Sequence, residues 1–367
     1  MSIHRPLALA ATLLTAATVM AEPPSTPAEP QPAPTATAAP AIPATATPAA
    51  TAPATPAPRT PAPAPRAPAA KTTDKATDKA ADKAAAAAAA HPLTMQELLA
   101  STKPADWRPL DPDYTLYMDL SQGRIVIELA PAFAPRHVAN IQKFARAHWY
   151  DGLAITRVQD NFVAQWGDPL NGKPDVGEKR LPPEFSRPGG APGFVRLKDP
   201  DTFAPEVGFS GGFPAARTGA EGEAWLVHCY GMVGVGRDVD PSTAIGTELY
   251  AVIGHSPRQL DRNVAVVGRV VWGMELLSSL PRGTADLGFY DQPEQRVPIQ
   301  TVRLAAELPA AERLPLEALR TDSAAFQKLI ELRRNRRDAW YKLPAGRIDL
   351  CNVPLPVRER AEPRKKG

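Results

Sequence analysis

Three residues within positions 150–169 have side chains suited to chemistry on a peptide. Arg157 follows a short apolar run, and Phe162 and Gln165 follow a turn-like polar segment. Alternation in the strand-like parts would bring all three side chains to one surface. A guanidinium, an aromatic ring and a carboxamide favour a concave site that holds a peptide by hydrogen bonds and binds one apolar ring.

The same stretch resembles the signature of the cyclophilins, a family of peptidyl-prolyl cis-trans isomerases. Several residue types recur at fixed spacings over about twenty positions, which makes the match specific. The residues that carry it are Tyr150-Asp151-Gly152, Arg157-Val158, Phe162, Gln165 and Gly167-Asp168. Ile155 and Thr156 replace the Phe-His pair that the family usually has before the arginine. The resemblance extends from residue 114 to about residue 306.

The resemblance implies a mainly β fold, a closed antiparallel barrel capped by helices, with isomerase (rotamase) activity on X-Pro bonds and no cofactor or metal. Arg157 would contact the substrate carbonyl and the lone pair that develops on the prolyl nitrogen. Phe162 would receive the proline ring, and Gln165 would hydrogen-bond the substrate backbone. The alternatives are structural: Arg157 paired with Asp160 or Asp168, and Phe162 as an ordinary core residue.

Further substrate-binding residues follow from the resemblance: Val163, Gly236, Arg237, Glu248, Tyr250 and Leu260. Three positions depart from the family, where Glu248 replaces a Gln, Gln259 a Trp and Val264 a His. A carboxylate at position 248 could pair with the arginine and weaken it as a donor, or favour basic substrates. These departures predict reduced or altered activity. They also leave a second function possible, a non-catalytic scaffold that binds peptides. A third alternative is an envelope adaptor that acts through a basic C-terminal helix.

The cysteines and histidines indicate no further chemistry. Cys229 lies in an apolar run, which favours a buried and inert thiol, although an oxidising compartment would permit a bond to Cys351. No Cys/His cluster has the spacing of a zinc site. His228 has no Ser or Asp signature around it, so a packed histidine is expected rather than a base.

The first 91 residues carry targeting and spacing signals. Residues 1–21 combine a basic start, a short apolar run and a small-X-Ala cleavage site, which predicts a cleaved signal peptide. The protein would then be periplasmic, without stable membrane insertion; an uncleaved anchor is the alternative. Residues 22–91 are rich in Pro, Ala and Thr and then in Ala, Lys and Asp. They are too poor in large apolar groups to form a core, and this composition predicts a disordered linker.

The rest of the chain divides where its pattern changes. Residues 92–113 form a leader with a short helix capped by Thr94. Residues 114–307 form the isomerase domain, in which the Gly- and Pro-rich stretch 169–223 is expected to consist of long loops. Residues 308–367 form a helical extension.

Within the extension, apolar residues at helical spacing predict a helix from about residue 323 to 341, docked on the barrel or on a partner. Basic residues gather at positions 333–337, where a solvated helix face is favoured over a polyanion site. The formal net charge of +3 is too small to indicate nucleic acid. The expected partners are proline-containing polypeptides, and the protein is expected to be a monomer.

Overall fold

Eight antiparallel strands close into a barrel in the described part of the chain. The computed structural model describes residues 93–169, 172–174, 176–338 and 340–360. The predicted signal peptide and linker, residues 1–91, lie outside the described residues. The closed barrel confirms the predicted mainly β fold.

The described part contains fifteen strands and four α-helices, joined by loops and short 3-10 turns. The strands are β1 (Trp107–Pro109), β2 (Thr115–Leu120), β3 (Gly123–Leu129), β4 (Ala154–Val158), β5 (Val163–Gly167), β6 (Val195–Arg196), β7 (Glu206–Ser210), β8 (Phe213–Arg217), β9 (Ala224–Leu226), β10 (Met232–Val235), β11 (Glu248–Val252), β12 (Val266–Trp272), β13 (Val297–Leu304), β14 (Leu316–Leu319) and β15 (Val357–Glu359). The helices are α1 (Met95–Ala100), α2 (Pro135–Arg146), α3 (Met274–Ser278) and α4 (Ala324–Arg334).

The barrel has the strand order β10-β11-β5-β4-β13-β2-β3-β12, and β12 pairs with β10 to close it. Its predicted first hairpin is present, because β2 pairs with β3 along the whole length of β2, from Thr115 to Leu120. Helix α2 packs against the barrel core through the predicted stripe of Val138, Ile141 and Phe144, which are at most 1% exposed. Burial of such a side chain contributes about 1.5–3 kcal/mol, so this stripe is enough to hold the helix on the barrel.

The Gly- and Pro-rich stretch after β5 is more regular than predicted. Strands β6 to β9 form a separate four-stranded antiparallel sheet. Gly208 lies in strand β7 beside Val195, where a Cβ atom would stand 2.2 Å from the carbonyl oxygen of that valine. Gly211 and Gly212 make the turn to β8 with positive φ angles. The glycines that resemble a loop in sequence therefore serve close strand pairing and a tight hairpin turn.

The leader and the C-terminal extension are joined by a third sheet. Strand β14 pairs with β1 from the leader on one side and with β15 on the other. The predicted capped helix of the leader is present as α1, where Thr94 and Glu97 form a capping box. The extension is thus one helix with two strands, and the strands had no signal in the sequence.

Helix α4 packs on the four-stranded sheet. Phe326 is fully buried, and its ring lies 5.0 Å from that of Phe209 in an edge-on arrangement. The helix ends at Arg334, earlier than the predicted residue 341. The carboxylate of Asp338 accepts hydrogen bonds from the backbone N–H groups of Trp340 and Tyr341, and this turn replaces the continued helix.

Cys229 and Cys351 form a disulfide, so the expectation of an inert thiol at Cys229 was wrong. The bond links the segment before β10 to the C-terminal extension. Its two ends are 122 positions apart, a pairing that depends on the packing of α4 and the sheets rather than on local sequence.

Candidate active site

Four neighbouring barrel strands bring the predicted residues to one face. Arg157 on β4 pairs directly with Gln165 on β5, and Gln165 pairs with Tyr250 on β11. Paired residues on antiparallel strands present their side chains to the same face of the sheet. Phe162 precedes β5, next to Asn161, whose positive φ of 52° makes the turn from β4.

These side chains surround a cleft of about 230 Å³. It is lined by Arg157, Phe162, Val163, Gln165, Val235, Gly236, Arg237, Tyr250, Leu260 and Val264. Eight of the nine predicted site residues are in that set. The ninth, Glu248, lies behind Gln165.

The guanidinium of Arg157 is held by neutral partners. It donates to the side-chain oxygens of Gln165 (3.0 Å) and Gln159, and its Nε donates to the carbonyl of Leu287 (2.7 Å). It also lies 5.6 Å and 5.4 Å from the ring centroids of Phe162 and Phe289. These contacts fix the direction of the guanidinium, and no carboxylate among the described residues lies within salt-bridge distance of it.

The structural alternative for Arg157 was an ion pair with Asp160 or Asp168, and the structure shows neither pair. Asp160 pairs with Arg282, and the carboxylate of Asp168 accepts from the backbone N–H of Lys173. Burial lowers the pKa of Arg157, and Glu248 opposes that shift. A guanidinium stays protonated at neutral pH in spite of this lowering, because it is the most basic side chain in proteins.

Glu248 contacts Arg157 only through Gln165. The side-chain N–H of Gln165 donates to a carboxylate oxygen of Glu248 at 2.6 Å, while the other end of the carboxamide accepts from Arg157. Burial raises the pKa of Glu248, and the hydrogen bond from Gln165 works in the opposite direction. Among the described residues no basic side chain forms a salt bridge with this carboxylate.

Tyr250 forms an apolar wall whose hydroxyl is satisfied behind the cleft. Its oxygen lies 2.9 Å from Nε2 of His228, and Nδ1 of the same ring lies 2.9 Å from Asp261. A histidine that donates from Nδ1 to a carboxylate presents a bare Nε2, so the tyrosine hydroxyl donates to it. Gly234 makes room for this hydroxyl, because a Cβ there would stand 2.2 Å from the tyrosine oxygen. His228 is a packed histidine, as predicted, and it also positions a pocket residue.

A buried ion-pair chain holds the loop that carries Leu260. The guanidinium of Arg258 makes two hydrogen bonds to Asp201, at 2.8 and 2.9 Å, and one to Asp261, at 2.7 Å. Their side chains are 3–6% exposed. The pKa of Arg258 is raised, because these hydrogen bonds outweigh the lowering effect of burial. Asp201 lies in the loop between β6 and β7 of the four-stranded sheet, so a segment outside the barrel fixes one wall of the cleft.

The three departures from the family occupy different places. Val264 lines the cleft, Gln259 is exposed to solvent, and Glu248 lies behind the Arg157–Gln165 pair. Sequence reasoning missed the contacts of Arg157 with the loop that contains Leu287 and Phe289, 130 positions further along the chain. It also missed the Asp201–Arg258 pair. Neither contact could be predicted from neighbouring residues in the sequence, because the partners are far apart along the chain. Among the described residues no group of His, Cys, Asp or Glu could hold a metal ion.

Comparisons with known proteins agree with this geometry. Residues 115–304 match the model of the cyclophilin type peptidyl-prolyl cis-trans isomerase/CLD family. A Brucella suis protein named "Probable peptidyl-prolyl cis-trans isomerase" is 30% identical over 187 residues, covering 50% of this chain and 81% of the relative. Human peptidyl-prolyl cis-trans isomerase-like 1 is 34% identical over 71 residues, 19% of this chain and 40% of that protein.

Among solved structures, a cyclophilin from Hirschia baltica matches with a TM-score of 0.57 and 26% identity. That match covers 74% of this chain and 100% of the other. The fold is a closed β-barrel, and one cleft on its wall brings together eight of the nine predicted site residues. The chain belongs to the cyclophilin-type peptidyl-prolyl cis-trans isomerases, and it is an isomerase of X-Pro bonds.

Proposed function

We propose that Arg157 is the electrostatic catalyst of this isomerase and that the cleft beside it receives the proline ring. Rotation about an amide bond has a barrier of about 18–20 kcal/mol, because the bond loses its resonance when it twists. The prolyl nitrogen becomes pyramidal during that rotation and its lone pair becomes a hydrogen-bond acceptor. A donor that interacts more strongly with the twisted amide than with the planar one lowers the barrier without a covalent step.

The supporting observation is that Arg157, which forms no ion pair within the described part of the chain, stands at the rim of an apolar cleft. Phe162, Val163, Tyr250 and Leu260 supply the apolar walls, and Gln165 offers a carboxamide to the substrate backbone. Gly236 and Arg237 line the same cleft from the end of β10, and Glu248 lies behind Gln165, where it influences the charge that the substrate meets. Together these groups would hold the peptide while its prolyl bond twists.

Arg157→Ala tests this role. The expected result is a fall in kcat/KM of about 10²–10³ for a proline-containing peptide, since one preorganised charged donor is removed from the transition state. Arg157→Lys is expected to recover little of it, because an ammonium lacks the rigid fork of donors. Arg262→Ala, which removes an exposed arginine paired with Glu223, is the matched control. Unchanged kcat/KM in Arg157→Ala would refute the proposed role.

We also propose that the enzyme acts as a monomer on exported polypeptides in the periplasm. The supporting observations are the signal-like pattern of residues 1–21 and the disulfide, which is stable in oxidising compartments. Cell fractionation tests the location: the protein should be found in the periplasmic fraction, and deletion of residues 2–21 should retain it in the cytoplasm. Light scattering of the purified protein should give the mass of one chain.

A further inference from the structure

The segment that follows helix α4 exposes an unusual amount of apolar surface. We call residues 333–338 and 340–347, which include the last two residues of α4, the basic loop. Trp340, Tyr341 and Leu343 are 78%, 38% and 86% exposed, and they are three of the ten exposed large apolar residues in the described part of the chain. Scattered apolar residues on a surface need no explanation, but three of them within four positions form a patch that indicates a partner.

Positive charge surrounds this patch. Positions 333–347 contain six Lys and Arg residues and one acidic residue, in a chain whose formal net charge is only +3. Arg334 is turned inward to a buried pair with Asp199. The side chains of Arg333, Arg337 and Arg347 have neither a hydrogen bond nor a carboxylate within salt-bridge distance among the described residues. Most other arginines of the described chain pair with an Asp or Glu side chain. Arginines without an acidic partner are therefore concentrated in the basic loop.

The cations and the apolar side chains share one surface. Arg333, Arg336 and Arg347 line a cleft of about 300 Å³ together with Tyr341 and Leu343. A second cleft of about 170 Å³, lined by Arg336 and Arg337 among others, adjoins it through Arg333 and Arg336.

Local hydrogen bonds fix the shape of the basic loop. Asp338 accepts from the backbone N–H groups of Trp340 and Tyr341, at 2.8 and 2.9 Å, and from Nε of Arg336 at 2.8 Å. These bonds lower the pKa of Asp338 to about 2, so its carboxylate stays charged and the turn stays closed. The guanidinium of Arg336 lies 4.1 Å from the ring of Tyr341, which packs 4.8 Å from the ring of Trp340. The turn closed by Asp338 is therefore already formed, and it holds the side chains of Trp340, Tyr341 and Leu343 exposed to solvent.

We propose that the basic loop docks the protein on an anionic lipid surface. Trp and Leu side chains are suited to the boundary between headgroups and acyl chains, and arginines around them neutralise headgroup phosphates. A nucleic acid would use the arginines and the rings but would leave Leu343 exposed to water, so lipid accounts for more of the surface. Docking is peripheral: no helix of the described chain has the length and apolar character needed to cross a bilayer. This role is separate from catalysis and would concentrate the isomerase at a membrane.

Sedimentation with vesicles tests the proposal, using the chain from Glu22 that signal cleavage would leave. The vesicles are pure phosphatidylcholine, or phosphatidylcholine with about 30% phosphatidylglycerol, in about 0.1 M salt, where exposed charges are only partly screened. One variant combines Arg333→Gln, Arg337→Gln and Arg347→Gln. A second combines Trp340→Ala and Leu343→Ala. The matched charge control combines Arg136→Gln, Arg180→Gln and Arg320→Gln, three exposed arginines that pair with acids elsewhere.

The chain should sediment with the anionic vesicles and not with the neutral ones. Loss of the three loop arginines should weaken partitioning by about fivefold for each charge removed, whereas the control variant should bind like the parent. The Trp340→Ala, Leu343→Ala variant should also lose binding, and brominated lipid should quench a fluorescence component that disappears in Trp340→Phe. All variants should keep the parent melting temperature.

Three results would overturn the proposal. The first is no binding to anionic vesicles, and the second is equal weakening by the control arginines. The third is binding that depends on the arginines but is unaffected by loss of Trp340 and Leu343, with equally tight binding to heparin or RNA, because this would indicate a general polyanion surface.

Discussion

Nε2 of His228 lies 2.9 Å from the hydroxyl oxygen of Tyr250, behind the wall of the proline cleft. The same imidazole contacts Asp261, the residue after Leu260. One buried side chain therefore supports two walls of the cleft. His228→Leu should leave the tyrosine hydroxyl unsatisfied and cost about 1–3 kcal/mol, whereas Asp261 loses one partner and keeps its hydrogen bond from Arg258.

Because both walls lose support, His228→Leu should raise KM more than it lowers kcat. Adding Tyr250→Phe removes the stranded hydroxyl, so the double variant should be more stable than His228→Leu alone. Tyr250→Phe by itself should retain near-parent kcat, since the ring remains. Urea unfolding and peptide kinetics measure both effects, and an additive double variant would contradict the coupling.

The Asp201–Arg258 pair should control substrate affinity from outside the barrel. Asp201→Asn keeps the shape but removes one of the two carboxylates that hold the buried guanidinium of Arg258, while Asp261 remains. Breaking a buried pair completely costs about 3–5 kcal/mol, so this variant should lose stability up to that amount. The Leu260 loop should then loosen and KM should rise, while kcat changes little because Arg157 is untouched. Glu223→Gln, which breaks an exposed pair with Arg262, should change stability by less than about 1 kcal/mol. Equal effects of the two variants would contradict the prediction.

Glu248 should give the enzyme a pH dependence at a pH above the ordinary pKa of a glutamate. Its pKa is raised above the ordinary 4.5 by burial, so the folded protein favours the protonated form. As the pH rises through the raised pKa, the carboxylate becomes charged and opposes the positive potential of Arg157. The value of kcat/KM should therefore fall as the pH increases through this range.

Glu248→Gln removes the charge while a carboxamide keeps the contact with Gln165. This variant should show a flat kcat/KM profile over the same range, at or above the level of the parent. Its free energy of unfolding should also exceed that of the parent above the folded pKa, where the parent must bury a charged carboxylate. A parent profile that is already flat would exclude this role for Glu248.

The disulfide should stabilise the fold more than it affects catalysis. It joins residues 122 positions apart. In the chain-entropy model a loop of this length contributes about 4–5 kcal/mol, with measured disulfides ranging over about 0–5 kcal/mol. Cys229→Ser with Cys351→Ser should lower the melting temperature, and dithiothreitol should lower that of the parent but not of the variant. Isomerisation at room temperature should remain, since neither sulfur lines the cleft. Loss of activity without loss of stability would be the contrary result.

The sequence by itself predicted the centre of the site. Arg157, Phe162 and Gln165 lie within nine positions, and the two-residue period of strands together with one turn places them on a common face. The same local rules predicted the β2–β3 hairpin, the apolar stripe of α2 and the capping box at Thr94, because each depends on neighbours a few positions apart.

Only the tertiary structure decided how that centre is supported. Arg157 donates a hydrogen bond to the carbonyl of Leu287, Arg258 pairs with Asp201, and Cys229 forms a disulfide with Cys351. The partners in these contacts are 57 to 130 positions apart in the sequence. The sheet of β1, β14 and β15 and the end of α4 at Arg334 likewise had no adequate local signal. Such contacts form only when separate segments pack together. The residue types alone therefore do not predict which distant residue each side chain will contact.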